Sequence, residues 1–163
     1  MKWDEVKTTN KAGIKKRIRK EDTRKWKEEL ESKSSLNLYK RFKKEIKEER
    51  VYDNRFSARL LGRARANTLD LNDRKRFQRG DTSCGLCKAE KEDLRHFLLD
   101  CRELEYRRNQ NLLEKAKGEN EEETMGNLLF NMKGSDLEEA KEMLWKLWAA
   151  REARLPAGTR ARS

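Results

Sequence analysis

Cys84-Gly85-Leu86-Cys87-Lys88-Ala89-Glu90-Lys91-Glu92-Asp93-Leu94-Arg95-His96-Phe97-Leu98-Leu99-Asp100-Cys101 contains every cysteine of the chain and its only histidine. The spacing is Cys-x2-Cys-x8-His-x4-Cys. Three thiolates and one imidazole complete a tetrahedral shell around zinc, with Zn–S about 2.3 Å and Zn–N about 2.0–2.1 Å. The two-residue gap lets both thiolates of one turn face a single ion, with Gly85 easing that turn. Asp93 is placed to cap a helix bearing Leu94, Phe97 and Leu98, which carries His96 toward the same ion. Cys101 lies five residues past His96, about 140° around an ideal helix. It can share the ion only if the helix tightens or ends near Asp100. Cys84, Cys87, His96 and Cys101 are therefore the predicted ligands, and Zn2+ the predicted cofactor. Such a shell is full, so the metal is expected to be structural and not catalytic. The alternatives are unconnected buried thiols with a surface imidazole, or a redox Cys-x-x-Cys. The second belongs beside a βαβ pattern, which this chain does not show.

The segments flanking the motif read as helices. Phe56, Leu60 and Ala64 repeat every four residues over Arg55–Ala66, with Gly62 either weakening that helix or permitting close packing. Asn67-Thr68 ends it, and Asn72 or Asp73 caps a short turn through Phe77. Leu104, Leu112 and Leu113 continue helical spacing from the His96 helix to about Lys117. Met125, Leu128, Leu129 and Met132 follow the i, i+3, i+4, i+7 rule. Ser135-x-x-Glu138 reads as a capping box. It opens a long helix with Leu137, Ala140, Leu144, Leu147 and Trp148 on its apolar stripe and Trp145 off centre. Upstream, residues 21–33 are helical, and Ser34 and Ser35 are placed to cap a helix over about 36–50 with Leu36, Tyr39, Phe42 and Ile46 on one face. Residues 1–20 read as a disordered arm with a nuclear-localisation-type cluster, Lys15-Lys16-Arg17-Ile18-Arg19-Lys20. The fold class is mainly α: a small helical bundle with an embedded Cys-Cys-His-Cys zinc knuckle. Residues 1–33 form a basic arm and first helix, 34–155 the helical domain with its knuckle at 80–101, and 156–163 a basic tail.

The chain has 163 residues, of which 34% are apolar and 44% charged, with a net charge of +11. So low an apolar share means a thin core. The stretch 79–93 is polar and does not fold by burial alone, so metal binding is expected to be part of its folding. No apolar run approaches the roughly 18 residues of a membrane span, and no apolar leader opens the sequence. An odd number of cysteines argues against a disulfide framework. These features predict an intracellular, nuclear protein. Residues 1–80 carry 26 Lys or Arg against 13 acids, and residues 81–163 carry 15 against 17. A basic half joined to a near-neutral half points to a polyanion partner, although a merely solvated Lys-rich surface gives the same count. The candidate phosphate contacts are Lys40, Arg41, Lys44, Arg59, Arg63, Arg65, Arg74, Lys75, Arg76 and Arg79.

Ser35-Leu36-Asn37-Leu38-Tyr39, Arg59-Leu60-Leu61-Gly62-Arg63-Ala64-Arg65-Ala66-Asn67-Thr68-Leu69 and Leu94-Arg95-His96-Phe97-Leu98-Leu99-Asp100-Cys101 carry a resemblance. Together they resemble the C-terminal region of non-LTR (LINE-type) retrotransposon reverse transcriptases, where helices after the polymerase palm precede a Cys-Cys-His-Cys knuckle. The resemblance spans about residues 34–150. It implies an accessory region that holds template RNA or target DNA, with Cys84, Cys87, His96 and Cys101 as the zinc ligands. The sequence holds no Tyr-x-Asp-Asp motif, no Asp-Asp pair and no Pro-Asp signature, so polymerase and nuclease activities do not carry over.

No catalytic constellation stands out. His96 is assigned to metal, Glu92-Asp93 reads as a cap, Glu21-Asp22 as a solvated helix start, and no Gly-rich phosphate loop is present. The leading expectation is a non-catalytic, zinc-stabilised module that binds nucleic acid, without membrane or small-molecule substrate. A lone knuckle and no evident groove-reading helix favour RNA or a structured single-stranded site. The alternative is a zinc-stabilised protein-interaction module that docks a partner subunit, with Trp145 as a candidate contact.

Overall fold

The computed structural model describes residues 11–47, 49, 51–53, 55–75 and 80–156, with no side chain for Lys75. Within them the chain is helical and has no strand. By its contacts it divides after Glu48 into two units.

The first unit holds α1 (Lys11–Glu31), a 3-10 turn (Ser34–Leu36) and α2 (Asn37–Phe42). The predicted arm is thus helical from Lys11 onward, while residues 1–10 lie outside the described part. Leu30 is the one buried residue of α1, which is polar around most of its circumference. Such a helix draws its support from side-chain pairs and not from a core. Arg24 supplies them in the second half, 2.6 Å from both Glu21 and Glu28. The helix expected over 36–50 is only six residues long. Ser34 and Ser35 do not cap it: its N-cap is Leu36, with no side-chain bond. It stops at Lys43, and Ile46 is left 53% exposed, with no apolar cover among the described residues to reward further turns.

The second unit is built around two helices, α3 (Phe56–Arg65) and, at its C-terminal end, a long helix over Gly134–Arg154 that packs along α3. Leu60, Leu61 and Ala64 from the first, and Leu144, Leu147 and Trp148 from the second, are buried in this core. Each large apolar side chain so buried contributes about 1.5–3 kcal/mol. Asn67 ends α3 at a left-handed φ of 51°, and Thr68 N–H bonds Arg63 O at 2.8 Å, as the sequence predicts. Gly62 serves close packing: a Cβ there would lie 3.2 Å from the Tyr52 ring.

Between these helices the predicted long elements are broken. A 3-10 turn (Asn72–Lys75) is followed, after the knuckle loop, by a π turn (His96–Asp100) and a second 3-10 segment (Arg102–Arg107). Then come α4 (Gln110–Ala116), α5 (Glu121–Gly126), a second π turn (Asn127–Asn131) and the long helix, α6 (Gly134–Arg154). Asparagine side chains start two of these: Asn109 accepts from Leu112 N–H at 3.1 Å, and Asn120 from Glu123 N–H at 2.9 Å. The capping box expected at Ser135 is absent. Lys133 is the N-cap of α6, without a side-chain bond, and Glu138 instead turns to Lys141 at 2.7 Å and Arg55 at 3.6 Å.

Candidate metal centre

Cys84 and Cys87 sit in a tight turn closed by Lys88 N–H to Cys84 O at 3.0 Å. Lys88 takes the left-handed φ of 64° that closes the turn. Gly85 has a different role from the one expected of it: a Cβ there would fall 2.5 Å from Leu155 Cδ2, so its lack of a side chain makes room for the residue that follows α6. The knuckle is thereby seated on the end of α6.

Asp93 caps the next segment as predicted, accepting from His96 N–H at 2.9 Å. Burial alone would push the Asp93 carboxyl up, but this bond and Lys91, 3.1 Å away, hold it below the usual carboxylate range. The placement of Cys101 is solved by widening the helix, not by tightening it. His96–Asp100 forms a π turn, in which Cys101 N–H reaches back five residues to His96 O at 2.8 Å. The larger turn reduces the offset of an ideal helix, and the element ends at Asp100 with Cys101 extended.

The four ligand atoms consequently lie within 4.8 Å of one another. Cys84 Sγ is 3.9 Å from Cys101 Sγ, and Cys87 Sγ is 3.2 Å from His96 Nε2. In a zinc tetrahedron the S–S edges are about 3.8 Å and the S–N edges about 3.5 Å, by geometry from the bond lengths. The cluster can hold a metal ion, with its longest edge drawn inward by about 1 Å. Cys84, Cys101 and His96 are buried and Cys87 is partly exposed. Cys84 and Cys101 face each other: the bond from Cys101, with help from the Cys87 and Leu86 N–H groups, pulls the Cys84 thiol down, and the same contact together with burial pushes the Cys101 thiol up. Metal ligation requires thiolates, so a bound dication would displace the protons of both.

Around the ligands lies a set of charges that the sequence reading missed. Glu92, expected at a solvated cap, is 1% exposed, and Arg151 is fully buried. They pair in a fork: Arg151 Nε to Glu92 Oε1 at 2.8 Å, and Nη2 to Oε2 at 2.7 Å. Glu92 also accepts Asn72 N–H at 2.9 Å, and its Oε1 is 3.9 Å from Cys84 Sγ. The ligand turn is thus tied through one carboxylate to α6. Arg108 Nη2 is buried without a hydrogen-bond partner, in a guanidinium that interacts electrostatically with Cys101. Burial pushes its pKa down. With a dication bound, three thiolates would leave one net negative charge, which Arg108 would help to offset. A fork between residues 59 positions apart leaves no local pattern that could have signalled it.

The predicted phosphate contacts do not all face solvent. Arg41, Lys44, Arg59 and Arg74 are exposed, and Lys40 is half-buried, bonding Glu31 O at 3.2 Å. Arg63 is half-buried too: it bonds Thr68 O at 3.3 Å and lies over the Trp148 ring. Arg65 is a correction. It is 3% exposed, donates to Leu129 O at 2.6 Å and Glu49 at 2.5 Å, and stacks on Phe130, so it is a core tie and not a phosphate contact. Arg76, Arg79 and the Lys75 side chain lie outside the described residues. Trp145 is 48% exposed and with Phe56, 41% exposed, lines a cleft of about 420 Å³ bordered by Arg55, Glu138 and Glu142. No described helix is long and apolar enough to cross a membrane. No protein-family model matches the chain, and neither a curated protein nor a solved structure matches it.

Proposed function

We propose that this protein is a zinc-stabilised, non-catalytic module that binds nucleic acid. The observation that carries the reading is the first half of α1. Lys11, Lys15, Lys16, Arg17, Arg19 and Lys20 are all exposed, with no acid among residues 11–20. Arg41, Lys44, Arg59 and Arg74 add exposed positive charge further along. Zinc is the metal because a closed set of three thiolates and one imidazole suits it, and a filled shell gives it a structural role. The likeness of residues 34–150 to the reverse-transcriptase C-terminal region supports the same reading, and a nuclear location, where the polyanion is abundant, is part of the proposal. Titration of labelled DNA and RNA at several salt concentrations tests it: log affinity falls linearly with log salt, with a slope of about −0.9 per phosphate on duplex DNA and −0.7 on single strands. Absence of binding at 50 mM salt refutes it.

A second reading is favoured by one observation. The cleft between Phe56 and Trp145 is open and aromatic, while Arg63 and Arg65 turn inward. Exposed aromatics in one cleft suit a protein partner. On that reading the zinc supports a docking surface, and Trp145→Ala abolishes partner binding while nucleic acid plays no part.

A further inference from the structure

The charge on the first half of α1 is arranged around the helix and not along one face. At about 100° per residue, and taking Lys11 as zero, Lys15 falls near 40°, Arg19 near 80°, Lys16 near 140°, Lys20 near 180° and Arg17 near 240°. All six are exposed. The remaining arc of about 120° holds Ile14 and Ile18, the latter 52% exposed. Like charges recur at i, i+4 in Lys11–Lys15, Lys15–Arg19, Lys16–Lys20 and Lys20–Arg24, a pattern that disfavours an isolated helix. The acids that support α1, such as Glu21 and Glu28, all lie C-terminal to Lys20.

A flat anionic surface meets one side of a helix, and charge beyond about half the circumference gains nothing from it. Two isoleucines in ten residues are also too little apolar surface for an interfacial membrane helix. A groove is different: phosphates stand on both walls, so a helix lying in it gains from cations on opposite sides, with one edge left outward. The major groove of B-DNA is about 12 Å wide and admits an α-helix of about 10–12 Å diameter. The deep, narrow major groove of A-form RNA does not, and a single strand has only one backbone to offer. The stretch from Lys11 to Lys20 is about 14 Å long, or about four base-pair steps.

We infer that the first half of α1 is a groove-binding helix whose ligand is double-stranded B-form DNA, held through the phosphates of both strands. This rests on the nucleic-acid reading above and narrows it to one class of ligand. It also departs from the sequence-based expectation of RNA, which rests on a lone knuckle and the lack of an evident groove-reading helix; α1 is a candidate for that helix.

The test uses the full chain with four probes: an 18-base-pair DNA duplex, one of its single strands, a duplex RNA of the same sequence, and vesicles of phosphatidylserine and phosphatidylcholine. Two variants neutralise opposite sides of the helix, K11Q/K15Q and K16Q/K20Q. Gln is close to Lys in helix propensity, so helicity by circular dichroism should be retained. The expected result is tightest binding to duplex DNA and a similar loss from each variant, with the salt slope shallower by about 1.8 and affinity down by up to about sixty-fold at 0.1 M salt. A loss from one variant only means docking on a flat surface and overturns the inference. So does tighter binding to the single strand, the RNA duplex or the vesicles. Duplex binding that neither variant weakens also overturns it while leaving the nucleic-acid reading intact. No binding to any nucleic acid removes that reading itself.

Discussion

Arg151→Met should cost about 3–5 kcal/mol of stability, because it strands a buried carboxylate. Arg151 is 0% exposed and Glu92 1%, and the fork between them has two bonds of 2.8 and 2.7 Å. Methionine fills much of the same volume but donates nothing. Glu92 then keeps the 2.9 Å bond from Asn72 N–H and the long contact with Cys84 Sγ but no cation, and breaking a buried pair from one side carries a penalty of the stated size. Removing both charges is a different perturbation. Arg151→Met with Glu92→Leu leaves no unpaired charge, and buried ion pairs replaced by apolar groups of similar volume are often neutral for stability. The double variant should therefore recover much of the loss, giving a coupling term of at least about 1 kcal/mol. Metal affinity should not recover with it. Glu92 holds Asn72 N–H and sits 3.9 Å from Cys84 Sγ, and loss of such outer partners weakens metal binding by about 10–100-fold. The assays are urea unfolding at saturating zinc and chelator competition on the folded protein. A single-variant cost under about 1 kcal/mol, or a double variant no more stable than the sum of the singles predicts, would show that the two residues do not act as a pair.

Elemental analysis should return about one zinc per chain, and chelation should unfold residues 80–101 before the rest; Cys101→Ser and Cys84→Ser should destabilise alike, since each removes one of four ligands. Arg65→Gln should cost about 3 kcal/mol in denaturant unfolding because a buried guanidinium loses its bonds to the buried Leu129 O and the partly buried Glu49, whereas the exposed Arg59→Gln should stay within about 0.5 kcal/mol. Asp93→Ala should cost about 1 kcal/mol at neutral pH through loss of the cap on His96 N–H. The Asp93 carboxyl is held below its ordinary 3.8, so its contribution is present above that pH and vanishes as pH falls through the depressed value. The gap between wild type and variant in thermal melts should therefore close only in acid.

Much of the fold was legible where helical spacing coincided with burial. Leu60, Leu61 and Ala64, and Leu144, Leu147 and Trp148, sit in the core that their periodicity implied. The reading lost accuracy where spacing continued across a change of helix type. Phe97 to Leu113 keeps a helical count of apolar residues, yet the chain passes through a π turn, a 3-10 segment and a break at Asn109. Apolar spacing reports which residues go inside; it does not report whether the hydrogen bonds span three, four or five residues. Over 36–50 the error ran the other way. The pattern was adequate, but no described partner covers Ile46, and a six-residue helix is all that remains.

At the metal centre, the residue types named the ligands and the backbone had to solve their geometry. The five-residue gap from His96 to Cys101 is incompatible with an α-helix that continues through both. Two remedies were open in the sequence, tightening or termination, and the chain combines termination with widening. The surrounding charges were not legible at all. Glu92 and Arg151 look like two of many charged residues in a chain that is 44% charged, and nothing local distinguishes a solvated guanidinium from one buried against a ligand turn. What singles them out is tertiary. The knuckle can rest on α6 only where Gly85 leaves room for Leu155, and that seating carries Glu92 and Arg151 out of water together. Neither charge is tolerable there without the other. The same packing that buries Cys84 and Cys101 thus requires the ion pair beside them, and a thin apolar core is supplemented by a fork, and by a cluster able to hold a metal, whose partners the fold must assemble before either contributes.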